Sequence, residues 1–456
     1  MTSVKERKVK KRRRSLVKTS LPGPKSKKLI ARDERYVSPS YTRVHPTIIE
    51  RGEGPFLYDV DGNCFIDFHS GVGVCGTGNC HPRVVEAIVA QARKAVHIAS
   101  ADFYHEMVGK LAQKLSEIVP GRGAKRTFFT NSGTEAMECA MKLARYHARR
   151  PRFIAFFNGF HGRSFGALSL TASKGTQRRY FAPMLPEVTH VPYAYCYRCP
   201  INLKYPGCDL ACIDWIEKHI LNKVAPAEEV AAIVAEPIQG EGGYVVPPDG
   251  YFQKLKSLCD RYGILLIMDE IQSGMGKTGR MFAIEHWGVA PDIMTIAKAL
   301  ASGVPLGACT ASAKLMTWEP GSHSTTFGGS PLGCVAALET IDLVRNGLMQ
   351  NAAKVGRFLM GRLKKLQRES KIIGDVRGRG LMIGIEFVKD KRTKEPAPDL
   401  SEKVMQGCFR EGLMLLTCGL CTVRFVPPLV VDEEVADMAM GIFEKVVKGL
   451  ERGGRP

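Results

Sequence analysis

The 456-residue chain has no run of about 18 consecutive apolar residues, so it offers no candidate membrane-spanning helix. Its first 28 residues lack aromatic side chains, which begin at Tyr36, and lack the apolar core of a secretory signal. Acid is scarce there too: Glu6 stands against twelve Lys or Arg, so this stretch holds +11 of the chain's net +20. A like-charged block containing Pro22, Gly23 and Pro24 predicts a disordered basic tail over residues 1–28. With nothing to stack on bases, the tail supports phosphate contact at most, and nucleic-acid binding is the weaker reading.

The chain as a whole has globular composition, 45% hydrophobic and 24% charged, and is long enough for a large core and a second subdomain. Of fourteen cysteines, ten are scattered through segments that read as core or site. Without a signal segment a disulfide framework is the weaker reading, and a cytoplasmic protein is expected. The other four, Cys196, Cys199, Cys208 and Cys212, cluster in a loop rich in Tyr and Pro. Four thiolates suit a tetrahedral structural zinc, but the eight-residue gap between the pairs is short for one. Two local disulfides, or unlinked thiols, fit the spacing as well.

Residues 264–298 organise the rest. Two aliphatic runs, 264–268 and 293–297, end in Asp269 and Lys298. Runs of this length bounded by turn signals predict parallel strands buried on both faces of an open α/β sheet. Ligands bind at the carboxyl edge of such sheets, so Asp269, Lys298 and Gln272 are expected to face one crevice. A lysine for a Schiff base and an acid for a pyridinium nitrogen suit a pyridoxal phosphate enzyme. A structural ion pair is the plain alternative.

Other stretches aim at the same edge. Ser132, Gly133 and Thr134 follow a short strand and open a helix, where unpaired N–H groups and the helix dipole make an anion cradle; an ordinary capping box reads the same way. After the strand at 153–157 come Phe160, an aromatic able to stack on a planar ring, and Arg163, able to grip a carboxylate. The strand at 231–235 delivers Glu236 and Glu241. Residues 58–67 read as a hairpin turning at Asp61 and Gly62, and 71–78 as a glycine-rich loop. Residues 274–278 resemble the end of a P-loop, but Ile271 stands where its first glycine is needed, so nucleotide binding there is set aside. A helix at 29–41 and α+β structure beyond 331 complete the reading.

Taken together, the stretches 131–136, 159–164, 236–243, 268–274 with Lys298, 324–329 and 376–381 resemble those of the class III aminotransferases over roughly residues 30–450. The resemblance implies an α/β protein of pyridoxal phosphate fold type I. Its large domain, 76–330, has a mostly parallel sheet and carries the Cys-rich insertion 195–212. Its smaller α+β domain is built from both chain ends, 29–75 and 331–456.

The resemblance also implies roles for single residues. Lys298 carries the cofactor, Asp269 pairs with the ring nitrogen, Gln272 reaches the ring hydroxyl and Phe160 stacks on the ring. Gly133 and Thr134 hold the phosphate. Thr326 matches a residue that reaches the neighbouring subunit's phosphate, which implies a homodimer or higher homo-oligomer. Arg377 matches the arginine that takes an α-carboxylate, with Glu241 covering it when an ω-amine is bound and Glu236 at the same substrate edge. Val72 falls where gamma-aminobutyrate enzymes have a small aliphatic residue, and Arg163 matches the residue for the distal carboxylate. The expected reaction is ping-pong transfer from an ω-amino acid, gamma-aminobutyrate favoured, to 2-oxoglutarate. Ornithine or acetylornithine aminotransferase and amino-acid racemase or epimerase are the alternatives.

Overall fold

The computed structural model describes residues 16–453. Its centre is a seven-stranded sheet in the spatial order Lys125–Thr130, Gly307–Ser312, Ile293–Ile296, Leu265–Asp269, Val230–Ala235, Arg152–Phe156, Val188–Val191. Gly307–Ser312 runs antiparallel to both neighbours and the other paired strands run parallel, so the sheet is mostly parallel, as expected. The aliphatic runs take central places because both faces are covered. Ile233, Leu266 and Met268 enter one core with the helix Tyr251–Tyr262, while Ala232, Val234 and Ile267 enter the other with the helix Gly133–Ala148. Alternate side chains of one strand thus feed opposite cores.

Two four-stranded sheets flank this body. In one, Cys64–Asp67 pairs in parallel with Leu413–Met414, joining the two ends of the chain. The other contains Ile373–Arg379, Met382–Phe387, Thr422–Phe425 and Leu416–Cys418. Among the described residues no helix is long and apolar enough to cross a membrane.

The tail expectation needs correction from residue 16 onward. The Leu16 carbonyl accepts from Cys64 N–H (2.9 Å), and Asn63 Oδ1 accepts from the N–H groups of Lys18 (2.7 Å) and Thr19 (3.1 Å). The helix spans Pro24–Tyr36, earlier than the expected 29–41, and the Asp61 carboxylate caps it by accepting from Lys25 N–H (2.8 Å) and Ser26 N–H (2.9 Å). Asp61 and Asn63 thus anchor a segment whose charge alone argued for disorder. The rest of the basic stretch, with any phosphate contact it makes, lies outside the described residues.

Those anchors come from a turn longer than the two residues expected. Tyr58 is the last residue paired, with Cys64, and Asp59 Oδ1 holds the loop by accepting from Asp61 N–H (3.0 Å) and Asn63 N–H (2.8 Å). The four clustered cysteines are unlinked thiols, and among the described residues no group of three or more His, Cys, Asp or Glu is placed to hold a metal ion. The structural zinc and the paired disulfides are therefore without support, and unlinked thiols describe the loop.

Candidate active site

Asp269 ends its strand opposite Thr295 on the neighbouring one, three residues before Lys298. The two charges therefore meet at the carboxyl edge of adjacent parallel strands, above a cavity of about 290 Å³. Ser132, Gly133, Thr134, Phe160, Arg163, Glu236, Glu241, Gln272 and Lys298 share its wall with Asp269 and His161. Lys298 sits at φ +45°, a backbone conformation that non-glycine residues adopt rarely. Burial pushes its amine below the usual lysine range, against the opposing fields of Asp269 and Glu236.

Asp269 is itself held from below. His161 Nδ1 lies 2.7 Å from Asp269 Oδ2, and Ile271 N–H donates to Oδ1 at 3.0 Å. Burial works against charge on the imidazole, but the bond to Asp269 outweighs it and raises the His161 pKa. Glu236 spends its carboxylate on backbone, accepting from Phe160 N–H (2.9 Å) and Gly240 N–H (2.7 Å). Burial, opposed by His161, raises Glu236 to about 7. Glu236 therefore ties together two loops of the site.

The cradle also holds together. Ser132 Oγ caps the helix by accepting from Glu135 N–H (3.3 Å), so the capping reading is correct as far as it goes. The N–H groups of Gly133 and Thr134 precede the first intrahelical bonds and remain available to an anion. A Cβ on Gly133 would come 2.9 Å from the Ile271 side chain, so any larger residue there would have to displace Ile271. Across the cavity, Gln272 Oε1 is buried and has no partner among the described residues. An orphaned acceptor, a free helix terminus and a lysine facing a carboxylate match the hydroxyl, phosphate and ring of pyridoxal phosphate.

Arg377 is not where the resemblance put it. Nε donates to the carbonyls of Gly243 (3.1 Å) and Tyr244 (3.2 Å), Nη1 to Asp375 (3.0 Å) and Glu386 (2.6 Å), and Nη2 to Gly243 O (2.5 Å) and Thr422 Oγ1 (3.2 Å). Every guanidinium nitrogen is committed, which leaves no fork for a substrate. Glu241 instead pairs with Arg424 (Oε2 to Nη1, 3.2 Å) and Lys174 (Oε1 to Nζ, 2.7 Å). Burial would raise the Glu241 pKa, but those two cations hold it below the usual range.

Val72 and Thr326 lie outside the cavity wall. Val72 is half-buried at φ +63° in a turn whose Gly73 lies beside Gln272, and Thr326 is exposed. Arg163 is exposed at the mouth, its guanidinium 5.8 Å from the Phe160 ring centre. Sequence reasoning missed His161, Lys174 and Arg424. The last had a signal: it interrupts the apolar strand Thr422–Phe425, where an unpaired charge would be costly.

The geometry defines a site for pyridoxal phosphate at the edge of an open α/β sheet. Known proteins agree: the profile of the Aminotransferase class-III family matches residues 36–447. The chain is 39% identical over 440 residues to an alanine/serine racemase of Pyrococcus horikoshii, covering 95% of this chain and 92% of that one. It is 38% identical over 433 residues to a 4-aminobutyrate aminotransferase of Mycobacterium leprae, covering 94% and 97%. The crystal structure of a thermostable (S)-enantioselective omega-transaminase from Thermomicrobium roseum superposes with a TM-score of 0.86 at 30% identity, covering 95% and 100%. The chain belongs to the class III aminotransferases, which use pyridoxal phosphate.

Proposed function

We propose that this enzyme moves an amino group from an ω-amino acid, with gamma-aminobutyrate the favoured donor, to 2-oxoglutarate in two half-reactions. The observation that carries the reading is Glu241 held between Arg424 and Lys174. The two half-reactions present different groups to one place. An ω-amine brings no carboxylate near the reacting carbon, and Glu241 then neutralises Arg424. Glutamate brings an α-carboxylate, which takes Arg424 in place of Glu241. A buried arginine is thereby never left unpaired. Arg163, at the mouth, is the proposed grip for the distal carboxylate.

Bound pyridoxal phosphate supplies a ring that delocalises the electrons released beside the donor nitrogen. Lys298 holds the cofactor, and its Nζ takes up the proton released from the carbon next to that nitrogen and hands it back. Asp269, steadied by His161, places a negative charge at the ring nitrogen. Gln272 meets the ring hydroxyl, Phe160 covers the ring, and Gly133 and Thr134 hold the phosphate. Exposed Thr326 suits a homodimer in which each copy completes the other's phosphate site, and light scattering at twice the chain mass is the expected result. Fourteen unlinked cysteines suit action in the reducing cytoplasm.

Mixing the holoenzyme with one amino compound at a time, without keto acid, tests the donor. Loss of the cofactor's visible band with gamma-aminobutyrate and glutamate is expected. Band loss with ornithine but not gamma-aminobutyrate would redirect the reading to ornithine-type enzymes. Persistence of the band while an L-amino acid loses optical purity would support the racemase reading, which the similarity to the Pyrococcus protein favours.

A further inference from the structure

A second cavity, of about 510 Å³, shares no wall residue with the catalytic one. Arg280 and His286 come from the segment following the catalytic aspartate, Arg357 from the helix Met349–Glu369, and Arg379 from the end of the strand Ile373–Arg379. Three guanidinium groups thus line one space whose wall contains no carboxylate.

Their partners are few. Among the described residues neither Arg280 nor Arg357 has an ion pair or hydrogen bond. Glu285 lies within the field of Arg280, but its Oε1 accepts from Phe282 N–H (2.9 Å) and it is absent from the wall. Arg379 Nη2 reaches only the exposed Asp249, at 3.5 Å, and its guanidinium lies 5.3 Å over the Trp287 ring. Its Nε is buried with no partner among the described residues, a donor left over there. His286 Nε2 is bound to Thr278 Oγ1 (3.1 Å), and burial together with Arg379 and Arg280 lowers the imidazole to about 4, so it adds no charge.

Glycine closes the back of the cavity. A Cβ on Gly279 would come 2.9 Å from Ala353 Cβ, and one on Gly380 2.5 Å from the Thr278 carbonyl carbon; both residues have positive φ. The cavity therefore pins backbone of the catalytic body against the C-terminal helix and hairpin. It also incorporates the end of the stretch that resembles a P-loop. Lys277 of that stretch is turned inward, donating to Pro427 O at 3.0 Å, so any phosphate-binding charge comes from the arginines instead.

We propose that this cavity binds a small phosphate-bearing anion, gripped by Arg280, Arg357 and Arg379 across the seam between the catalytic body and the C-terminal elements. A phosphate presents several equivalent oxygens to several forks at once, whereas a single carboxylate satisfies one. Inorganic phosphate and a phosphate monoester share this chemistry.

Calorimetric titration of the cofactor-loaded enzyme, whose catalytic phosphate cup is already filled, distinguishes them. Inorganic phosphate and glycerol phosphate are the probes, at constant ionic strength set with chloride. Saturable 1:1 binding is expected for at least one of them, weakened tenfold or more in R280A/R357A, with a smaller loss in R357A alone and partial rescue in R280K/R357K. Tighter binding of glycerol phosphate would point to a phosphorylated metabolite, and tighter binding of phosphate to the free ion. Both side chains are exposed and outside the catalytic site, so unchanged amino-transfer activity verifies the fold of each variant. No saturable binding of either probe, or equal affinity in the double variant, would overturn the proposal.

Discussion

The carboxylate of Glu241 is bound to Arg424, with 3.2 Å between Oε2 and Nη1, and not to Arg377. That pairing gives Arg424, which the sequence reading passed over, the place expected for Arg377. Arg424 lies in the strand Thr422–Phe425, its charge balanced by Glu241. Arg377 is bound to Glu386 and Asp375 and to backbone carbonyls.

Glu241→Gln should therefore affect the two half-reactions unequally. With Arg424 uncovered, the gamma-aminobutyrate half-reaction is expected to slow by about tenfold or more, since a buried charge then lacks its partner. The glutamate half-reaction, in which the substrate supplies that partner, should change little. Stopped-flow absorbance of each half-reaction measures the split, and equal losses would contradict it.

Arg424→Gln and Arg377→Gln should fail differently. The first is expected to raise the KM for 2-oxoglutarate by about 10²-fold, equivalent to roughly 3 kcal/mol for a lost charge-assisted pair, with Tm almost unchanged. The second removes a partner of the buried Glu386 and should cost about 3 kcal/mol of stability while leaving the KM of the folded enzyme near wild type. Denaturant melts alongside steady-state kinetics separate the two outcomes.

Lys298→Ala should abolish the visible band formed on adding pyridoxal phosphate and reduce amino transfer by at least about 10³-fold. The variant should still fold, because the lysine it loses is buried and carries a desolvation penalty. Retained turnover would remove Lys298 from the chemistry.

Lys277 carries a pH prediction. Burial lowers its amine to about 8, so between about pH 8 and the unfolded value near 10.5 the unfolded chain binds more protons than the folded one. Stability from this group therefore rises with pH across that window, and Lys277→Met should remove the rise. Denaturation midpoints of both proteins at pH 7.5, 9 and 10.5 provide the comparison. Parallel pH dependence in the two would refute the assignment.

Much of this was readable from residue types. The runs ending in Asp269 and Lys298 read as buried strands, and the Gly133 turn as the start of a helix, because both readings depend on local pattern. Arg377 and Arg424 were harder, since each sits in a short strand of the same small sheet and their roles depend on which acid folds against them. Glu386 and Asp375 lie close to Arg377 in sequence, whereas Glu241 meets Arg424 from 183 residues away. The docking of residues 16–28 was hidden for a similar reason: the charge of the segment is local, but its anchors, Asp61 and Asn63, lie in a distant turn.

The loop of four thiols has a consequence for anyone trimming this enzyme. Tyr195 and Arg198, at its start, both bond Glu386, Arg198 Nε at 2.5 Å from Oε1, and Glu386 in turn holds Arg377. The loop therefore works as a hasp between the catalytic body and the C-terminal sheet. Excising residues 195–212 as a dispensable decoration would remove these two links to Glu386 and leave the sheet held by fewer, among them Arg377 on the Gly243 carbonyl, so a minimal version of the enzyme has to retain Tyr195 and Arg198 even if every cysteine is replaced.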